Sequence, residues 1–393
     1  MRVGVKKKIL FINGHLNAGG VERSLVDVLR HLDYNKYEVD LLLLEGYGDY
    51  LSEIPKEVNV MMYPLNDAGG PLLPTLWKNL IHGHFVLFFF RLLMLWSRKS
   101  GQKVMKYARS LFKNGKKKYD VVVGYRPEMS TILTAYTFQS QKRVAWWHHG
   151  KLNIYGKQRE ELGSAYEEMN DIIAVSQPCA QMLIDAFPHV RNKVTVIPNM
   201  LCSGEIRKKA QVENIQMAQS VFNIVSVGRM SPEKNMMFCV EVAKQLKEQN
   251  ISFHWYMIGD GVEMEFIKEK IEESHLASFF TLMGKLPNPY PYIQSADLLF
   301  HPSLVESQGL TILEAMAIGT PVVVVESAGP KEFVEDGVNG MMVAAKVVDA
   351  TDAIKALQSD EKTRKEVSEK GLVSVVTFSP ESVLRKIDYL LSA

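Results

Sequence analysis

Four groups of residues in this chain are of the types that act on an extended, phosphorylated ligand. Glu306 lies in a polar stretch, and Glu314 follows eight positions later inside a segment of helical character. Gly309 stands where that helix opens, and a residue without a Cβ lets a ligand approach the backbone closely. The first-turn N–H groups of Gly309, Leu310 and Thr311 have no intrahelical partner, so they favour a phosphate there. Ser307 and Gln308 belong to the same candidate ligand-binding segment. Eight helical residues rise about 12 Å, so one carboxylate would address each end of the ligand. Two cations, Arg229 and Lys234, follow an apolar run and Gly228 in VSVGRMSPEK. A guanidinium can fork two phosphate oxygens, and an ammonium adds a point charge. A pair of surface cations is the plainer alternative.

Those residues need rigid elements to hold them. The chain alternates short apolar runs with helical patterns, which predicts α/β architecture with parallel sheets. KILFI, VDLLLL, VVVGY, RVAWW, DIIAVS and VTVIP are strand candidates in the first half. FNIVSVG, FHWYMIG, FFTLMG, DLLFHPS, TPVVVVE and GMMVA are candidates in the second. Gly259 and Asp260 follow one of these runs, a common turn signal that is weak alone. Lys285 and Leu286 follow another, and Tyr290 and Tyr292 come next, able to stack on a ligand or to pack in a core. Gly19 and Gly20 follow the first strand and open a helix with an apolar stripe at Val21, Leu25, Val28 and Leu32. They let the backbone approach a phosphate. The loop is not G-x-G-x-x-G, and no acidic residue stands at the position that would bind a nicotinamide ribose, which argues against a dehydrogenase. His148 and His149 end the strand RVAWW, and parallel sheets place their sites at such strand ends.

The segment 301–340 carries ESQG, LEAMAIGTPVV and DGVNG in order around the two glutamates. It resembles the Glu-x7-Glu motif of the retaining glycosyltransferases of family 4, which have the GT-B fold. The resemblance implies two Rossmann-like doubly wound domains facing a cleft. It assigns Arg229 and Lys234 to the donor diphosphate as it leaves, Glu306 to the sugar hydroxyls and Glu314 to the ribose. It implies that His148 contacts the reacting sugar, with His149 a competitor for that role. The loops at Gly259–Asp260 and Lys285–Leu286 would line the cleft and meet the base through backbone groups. The first domain would bind the acceptor. A final helix, begun by Ser-Pro-Glu at 379–381, would cross back to that domain. The expected domains are therefore 1–202, 203–378 and the helix 379–393, with the boundary in the polar stretch 202–219.

Composition sets the remaining bounds. The 393 residues, 47% hydrophobic and 23% charged, exceed one comfortable core, so two domains are expected. Cys179, Cys202 and Cys239 lack ligand spacing and suit reduced cytosolic thiols. The apolar run 9–12 is too short for a signal peptide, and no segment offers the ~20 apolar residues of a spanning helix. No Asp-x-Asp or histidine cluster marks a metal site, so neither metal nor other cofactor is expected. Stretch 68–119 holds eleven Lys or Arg and no Asp or Glu, with FVLFFFRLLMLW inside it. Adjacent apolar and basic segments point to an anionic membrane surface, contacted through 78–118, rather than to nucleic acid or a buried helix.

The resemblance implies a retaining glycosyltransferase, and the basic, apolar arm places it peripherally on the cytoplasmic face of the membrane. It would move a hexose or N-acetylhexosamine from a nucleotide sugar, UDP-linked, to a lipid-linked saccharide or cell-envelope glycan. Two alternatives share the architecture, a nucleotide-sugar epimerase and a non-catalytic glycan-binding subunit. Two carboxylates some 12 Å apart also speak against a glycosidase, whose pair sits about 5–9.5 Å apart.

Overall fold

The structure, a computed structural model, describes residues 5–65 and 72–392. Residues 1–4 of the basic start 1–8, and the opening of the acid-free stretch at 68–71, lie outside the described residues. The chain divides into two compact units, 1–200 with 384–393, and 201–383.

The first unit holds a seven-stranded parallel sheet. Its strands are β1 (Lys7–Asn13), β2 (Tyr37–Leu43), β3 (Val58–Met62), β4 (Lys118–Gly124), β5 (Gln139–Trp147), β6 (Asp171–Ala174) and β7 (Val194–Val196). Their spatial order is β3-β2-β1-β4-β5-β6-β7. The second unit holds six parallel strands, β8 (Phe222–Val227), β9 (Phe253–Ile258), β10 (Phe280–Gly284), β11 (Leu298–His301), β12 (Val322–Val325) and β13 (Met341–Val343), in the order β10-β9-β8-β11-β12-β13. In each sheet the order reverses beside the first strand, between β1 and β4 and between β8 and β11. Ligands in open α/β sheets bind at that switch point, outside the carboxyl ends of the strands. β1, β4, β11 and β12 are almost wholly buried, which is why they read as continuous apolar runs.

All twelve strand candidates form strands, and β3 is an addition. It is a five-residue edge strand with exposed Asn59 and Met62, too short and mixed for its pattern to stand out. The chain passes between units at Met200–Leu201, two residues before the polar stretch begins. Part of that stretch is a helix, Ser203–Ala210, with Ile206 and Ala210 buried in the second unit. The last helix runs Pro380–Ser392, and the backbone N–H of Ser382 donates to Ser379 Oγ at 3.4 Å. Its end belongs to the first unit from Leu384 onward. Tyr37 Oη donates to Asp388 at 2.6 Å, and Lys142 Nζ donates to the carbonyl of Leu390 at 2.8 Å.

Among the described residues between β3 and β4 lie two helices, Leu72–Ile81 and Phe85–Ser100, and a 3₁₀ run, Gln102–Leu111. Leu87 and Phe90 turn inward, whereas Phe85, Phe89, Leu92 and Trp96 recur at helical spacing on the outer face and are 38–57% exposed. Trp77 and Ile81 are exposed on the preceding helix. The cations do not all serve one surface. Arg91 is buried, and Lys117 bridges Glu38 (2.8 Å) and Asp40 (2.9 Å). Lys103, Lys106, Arg109, Lys113, Lys116 and Lys118 are exposed. Among the described residues, no helix is long and apolar enough to cross a membrane.

Candidate active site

In the second unit the loops leaving β8, β9 and β10 are laced through their backbones. Gly228 N–H donates to the carbonyl of Ile258 at 3.0 Å, and Gly259 N–H donates to that of Gly284 at 2.8 Å. Gly259 has φ +144°, and a Cβ there would fall 1.8 Å from the Gly228 oxygen, so only glycine closes this lacing. Asp260 is exposed and accepts from the backbone of Gly261 at 2.7 Å, shaping its own turn. Lys285 is exposed too, while Leu286 packs its side chain on the core. Backbone is thus what Leu286 has to offer a ligand. Tyr290 and Tyr292 both pack against that core.

Lys234 is placed by three bonds between its turn and the loop after β11. Ser303 Oγ and the N–H of Leu304 donate to the carbonyl of Glu233, at 3.2 and 3.0 Å. Asn235 Nδ2 donates to the carbonyl of Pro302 at 3.3 Å. These hold Lys234 Nζ 2.5 Å from Glu306 Oε1. His301, the last residue of β11, brings Nε2 to the same oxygen at 2.8 Å. Burial by itself would raise the Glu306 pKa. The His301 hydrogen bond, the Lys234 charge and the Lys234 hydrogen bond outweigh it and hold the carboxyl at about 2. Glu306 is therefore an anion at neutral pH, with both of its donors on one oxygen.

Arg229 stands apart from this cluster. Its side chain is mostly exposed, and its guanidinium lies 3.3 Å from Glu233. The Glu233 backbone N–H holds that carboxyl below its ordinary range; burial opposes, and Ser231 and Arg229 assist. Gly309 precedes the helix Leu310–Ile318 with φ +90° and ψ +57°, a left-handed conformation that suits glycine. Gln308 is buried beside it, and Ser307 is partly buried, its carbonyl close against Gly329. Glu314 accepts from Tyr290 Oη at 3.0 Å. The expected 12 Å helical rise between the glutamates does not apply. The helix begins at Leu310, so only 310–314 contributes helical rise and Glu306 sits in irregular chain. The inference against a glycosidase drawn from that separation lapses with it.

The first unit holds the other expected residues. Gly19 precedes, and Gly20 begins, the helix Gly20–His31 that follows β1. A Cβ on Gly19 would lie 2.6 Å from Glu22 Oε2. Glu22 is buried and accepts from Arg126 at 3.1 Å, and Arg126 also meets His15 Nε2 at 3.0 Å. His148, at the end of β5, is 4% exposed and lies against Tyr125, with ring centroids 4.7 Å apart. Among the described residues, neither ring nitrogen makes a hydrogen bond of good geometry. Burial, then His149 and Arg126, pushes its pKa well below the ordinary value, with Asn199 opposing, so the imidazole is neutral. His149 is partly exposed, and its carbonyl accepts from Trp147 Nε1 at 2.7 Å.

Sequence reasoning missed His301, Glu233, Arg126 and Glu22. His301 carried a readable signal, because it ends a strand just before the loop of Glu306, where such sheets place their sites. Glu233 pairs with Arg229 inside the motif VSVGRMSPEK, four residues apart, whereas the contact of Arg126 with Glu22 joins residues with no shared motif.

Comparisons with known proteins agree with this architecture. Residues 18–201 match the family model Glycosyltransferase Family 4, and residues 206–373 match Glycosyl transferases group 1. The chain is 30% identical over 224 residues to a poly(ribitol-phosphate) α-N-acetylglucosaminyltransferase of Staphylococcus aureus, covering 56% of this chain and 43% of that one. It is 26% identical over 214 residues to a lipopolysaccharide 1,2-N-acetylglucosaminetransferase of Salmonella typhimurium, covering 50% and 55%. The chain thus spans about half the length of these curated relatives. The crystal structure of Anabaena HepE in complex with UDP and glucose superposes with a TM-score of 0.71 at 19% identity, over 98% of this chain and 99% of that one. With two parallel-sheet α/β units and one family model on each, the chain belongs to the GT-B glycosyltransferases, its first half of the family 4 type and its second of the group 1 type.

Proposed function

We propose that this chain is a retaining glycosyltransferase. It transfers a hexose or N-acetylhexosamine from a UDP-sugar to a lipid-linked saccharide or cell-envelope glycan. The observation that carries the reading is the Lys234–Glu306–His301 cluster before the helix Leu310–Ile318, at a sheet's switch point. It joins a phosphate-binding cation to an ionised carboxylate suited to sugar hydroxyls. The Staphylococcus and Salmonella relatives support the donor and acceptor classes, and the HepE complex supports UDP.

In this mechanism the acceptor hydroxyl attacks the anomeric carbon on the face that the diphosphate leaves. A new C–O bond forms, the bond to the β-phosphate oxygen breaks with its electron pair, and a donor phosphate oxygen takes the hydroxyl proton. Arg229, Lys234 and the N–H groups of Leu310 and Thr311 stabilise the departing charge. Gly19 and Gly20, at the start of the helix after β1, are the glycines assigned to the donor. Gly228, Gly259, Asp260, Lys285 and Leu286 border the donor. Glu306 orients the sugar, Glu314 the ribose, and His148 receives the reacting sugar as a neutral imidazole.

The test is nucleotide release from UDP-glucose and UDP-N-acetylglucosamine, with and without lipid-linked or polymer acceptor, followed by NMR of the product anomer. Acceptor-dependent UDP release with retained configuration is expected. Epimer without acceptor, or no turnover with any donor, overturns the reading. Turnover is expected to persist in excess EDTA, because the cations and helix N-terminus carry the charge. Loss on chelation with recovery on Mg²⁺ or Mn²⁺ overturns that expectation.

The same reading places the protein peripherally on the cytoplasmic face of a membrane. Support comes from the exposed row Phe85, Phe89, Leu92 and Trp96 and the exposed cations at 103–118. Each Lys or Arg near an anionic surface contributes about 1 kcal/mol, less with salt. The protein is expected to sediment with anionic vesicles, weakly with neutral ones, and to detach partly at high salt. Reversing Lys103, Lys106 and Lys113 to Glu is expected to reduce sedimentation. Lys117 is left intact because it pairs with Glu38 and Asp40. Indifference of the wild type to anionic vesicles would assign the arm to packing or to another partner.

A further inference from the structure

The Glu306 carboxylate is held asymmetrically. His301 Nε2 and Lys234 Nζ both meet Oε1, and among the described residues none donates to Oε2. An ionised carboxylate oxygen has about two lone-pair sites. Two donors fill Oε1 and fix the plane of the group, and the second oxygen keeps its acceptor capacity.

His301 is 2% exposed and sits at the end of β11, between β8 and β12 near the middle of the sheet. Among the described residues its buried Nδ1 has no hydrogen-bond partner, and the bond to Glu306 is the ring's single polar contact. Burying a polar ring costs desolvation that an apolar residue of similar size avoids. Packing alone therefore does not call for histidine here, whereas a fixed N–H aimed at Glu306 does. Lys234 cannot supply that constraint by itself. Its flexible ammonium is also the group read here as binding the donor phosphate, and its three N–H bonds are shared between the two tasks.

We propose that His301 is a positioning residue for transfer. Its Nε2–H donates to Oε1 of Glu306, shares that oxygen with Lys234, and so reserves Oε2 to accept a hydroxyl hydrogen of the donor sugar. This rests on the reading of Glu306 as the sugar-orienting carboxylate.

The experiment is steady-state kinetics with UDP-glucose or UDP-N-acetylglucosamine, whichever the wild type turns over, with UDP binding measured by calorimetry. His301→Leu removes the donor and is expected to lower kcat about tenfold, the order set by one hydrogen bond to a charged group. The UDP Kd is expected to stay within about twofold, because Lys234, the diphosphate contact nearest His301, keeps Glu306 as its partner when His301 is replaced. His301→Gln, whose amide reaches the position of Nε2, is expected to recover most of the rate. His301→Asn, whose amide reaches only that of Nδ1, is not. In a Glu306→Gln background, His301→Leu is expected to add little, because coupled residues are non-additive.

A residue needed only for packing gives the opposite pattern. Its loss multiplies with that of Glu306, and Gln does no better than Asn. Either result overturns the proposal, and the Gln–Asn comparison decides it even if the leucine variant does not fold. Normal turnover in Glu306→Gln instead removes the reading of Glu306 on which the proposal rests. An impaired Glu306→Gln beside a normal His301→Leu removes the positioning role alone.

Discussion

Lys234→Ala is expected to lower turnover about 10²-fold or more, because a group that meets charge growing in the transition state contributes most there. Structural context makes the loss twofold in kind. The variant removes a cation assigned to the departing diphosphate. It also removes one of the two donors on Glu306 Oε1, so the Glu306 carboxyl keeps His301 alone and its pKa rises. In the wild type, the stability from this depressed pKa is fully present above the ordinary 4.5 and is lost as pH falls through about 2. In the variant, that loss begins at higher pH on the acid side. Arg229→Ala is expected to cost turnover of similar order with little change in acid stability, since Arg229 is largely exposed and its pairing with Glu233 at 3.3 Å is a surface one. Turnover and urea unfolding from pH 3 to 7 check both claims. Near-normal turnover in both variants removes the assignment of these cations to the donor.

Glu306→Ala is expected to lower kcat by about 10²-fold, since it orients groups beside the bond that breaks. It also leaves Lys234 without its carboxylate in a partly buried setting, so some stability goes with it. Glu314→Ala is expected to act differently, raising the donor KM with a smaller change in kcat, because the ribose is remote from the reacting centre. Tyr290 then loses an acceptor at 3.0 Å, and Tyr290→Phe is expected to reproduce part of the KM effect. UDP binding by calorimetry separates the two glutamates, with weakened UDP in the Glu314 variant and near-wild-type UDP in the Glu306 variant. Unchanged rate and donor affinity in the Glu306 variant would sink its role.

What this chain's sequence determined by itself is local and periodic. Continuous apolar runs fixed twelve of the thirteen strands, because a strand buried on both faces admits few polar residues. Glycines marked the turns, as Gly259 and Gly309 require, because neither position accepts a Cβ without strain. The order of motifs around Glu306 and Glu314 was enough to imply the fold. Only tertiary structure decided which charges meet. Lys234 and Glu306 are 72 residues apart in the chain and 2.5 Å apart in space, joined by the lacing of two loops on neighbouring strands. Arg229, close to Lys234 in sequence, went to Glu233 instead. Lys117 and Arg91, identical in type to the exposed cations around them, turned inward to partners or burial. Periodicity reports which face of an element is apolar. It carries no record of which polar side chains converge from separate strands, and that convergence sets the protonation of Glu306 and makes His301 part of the site.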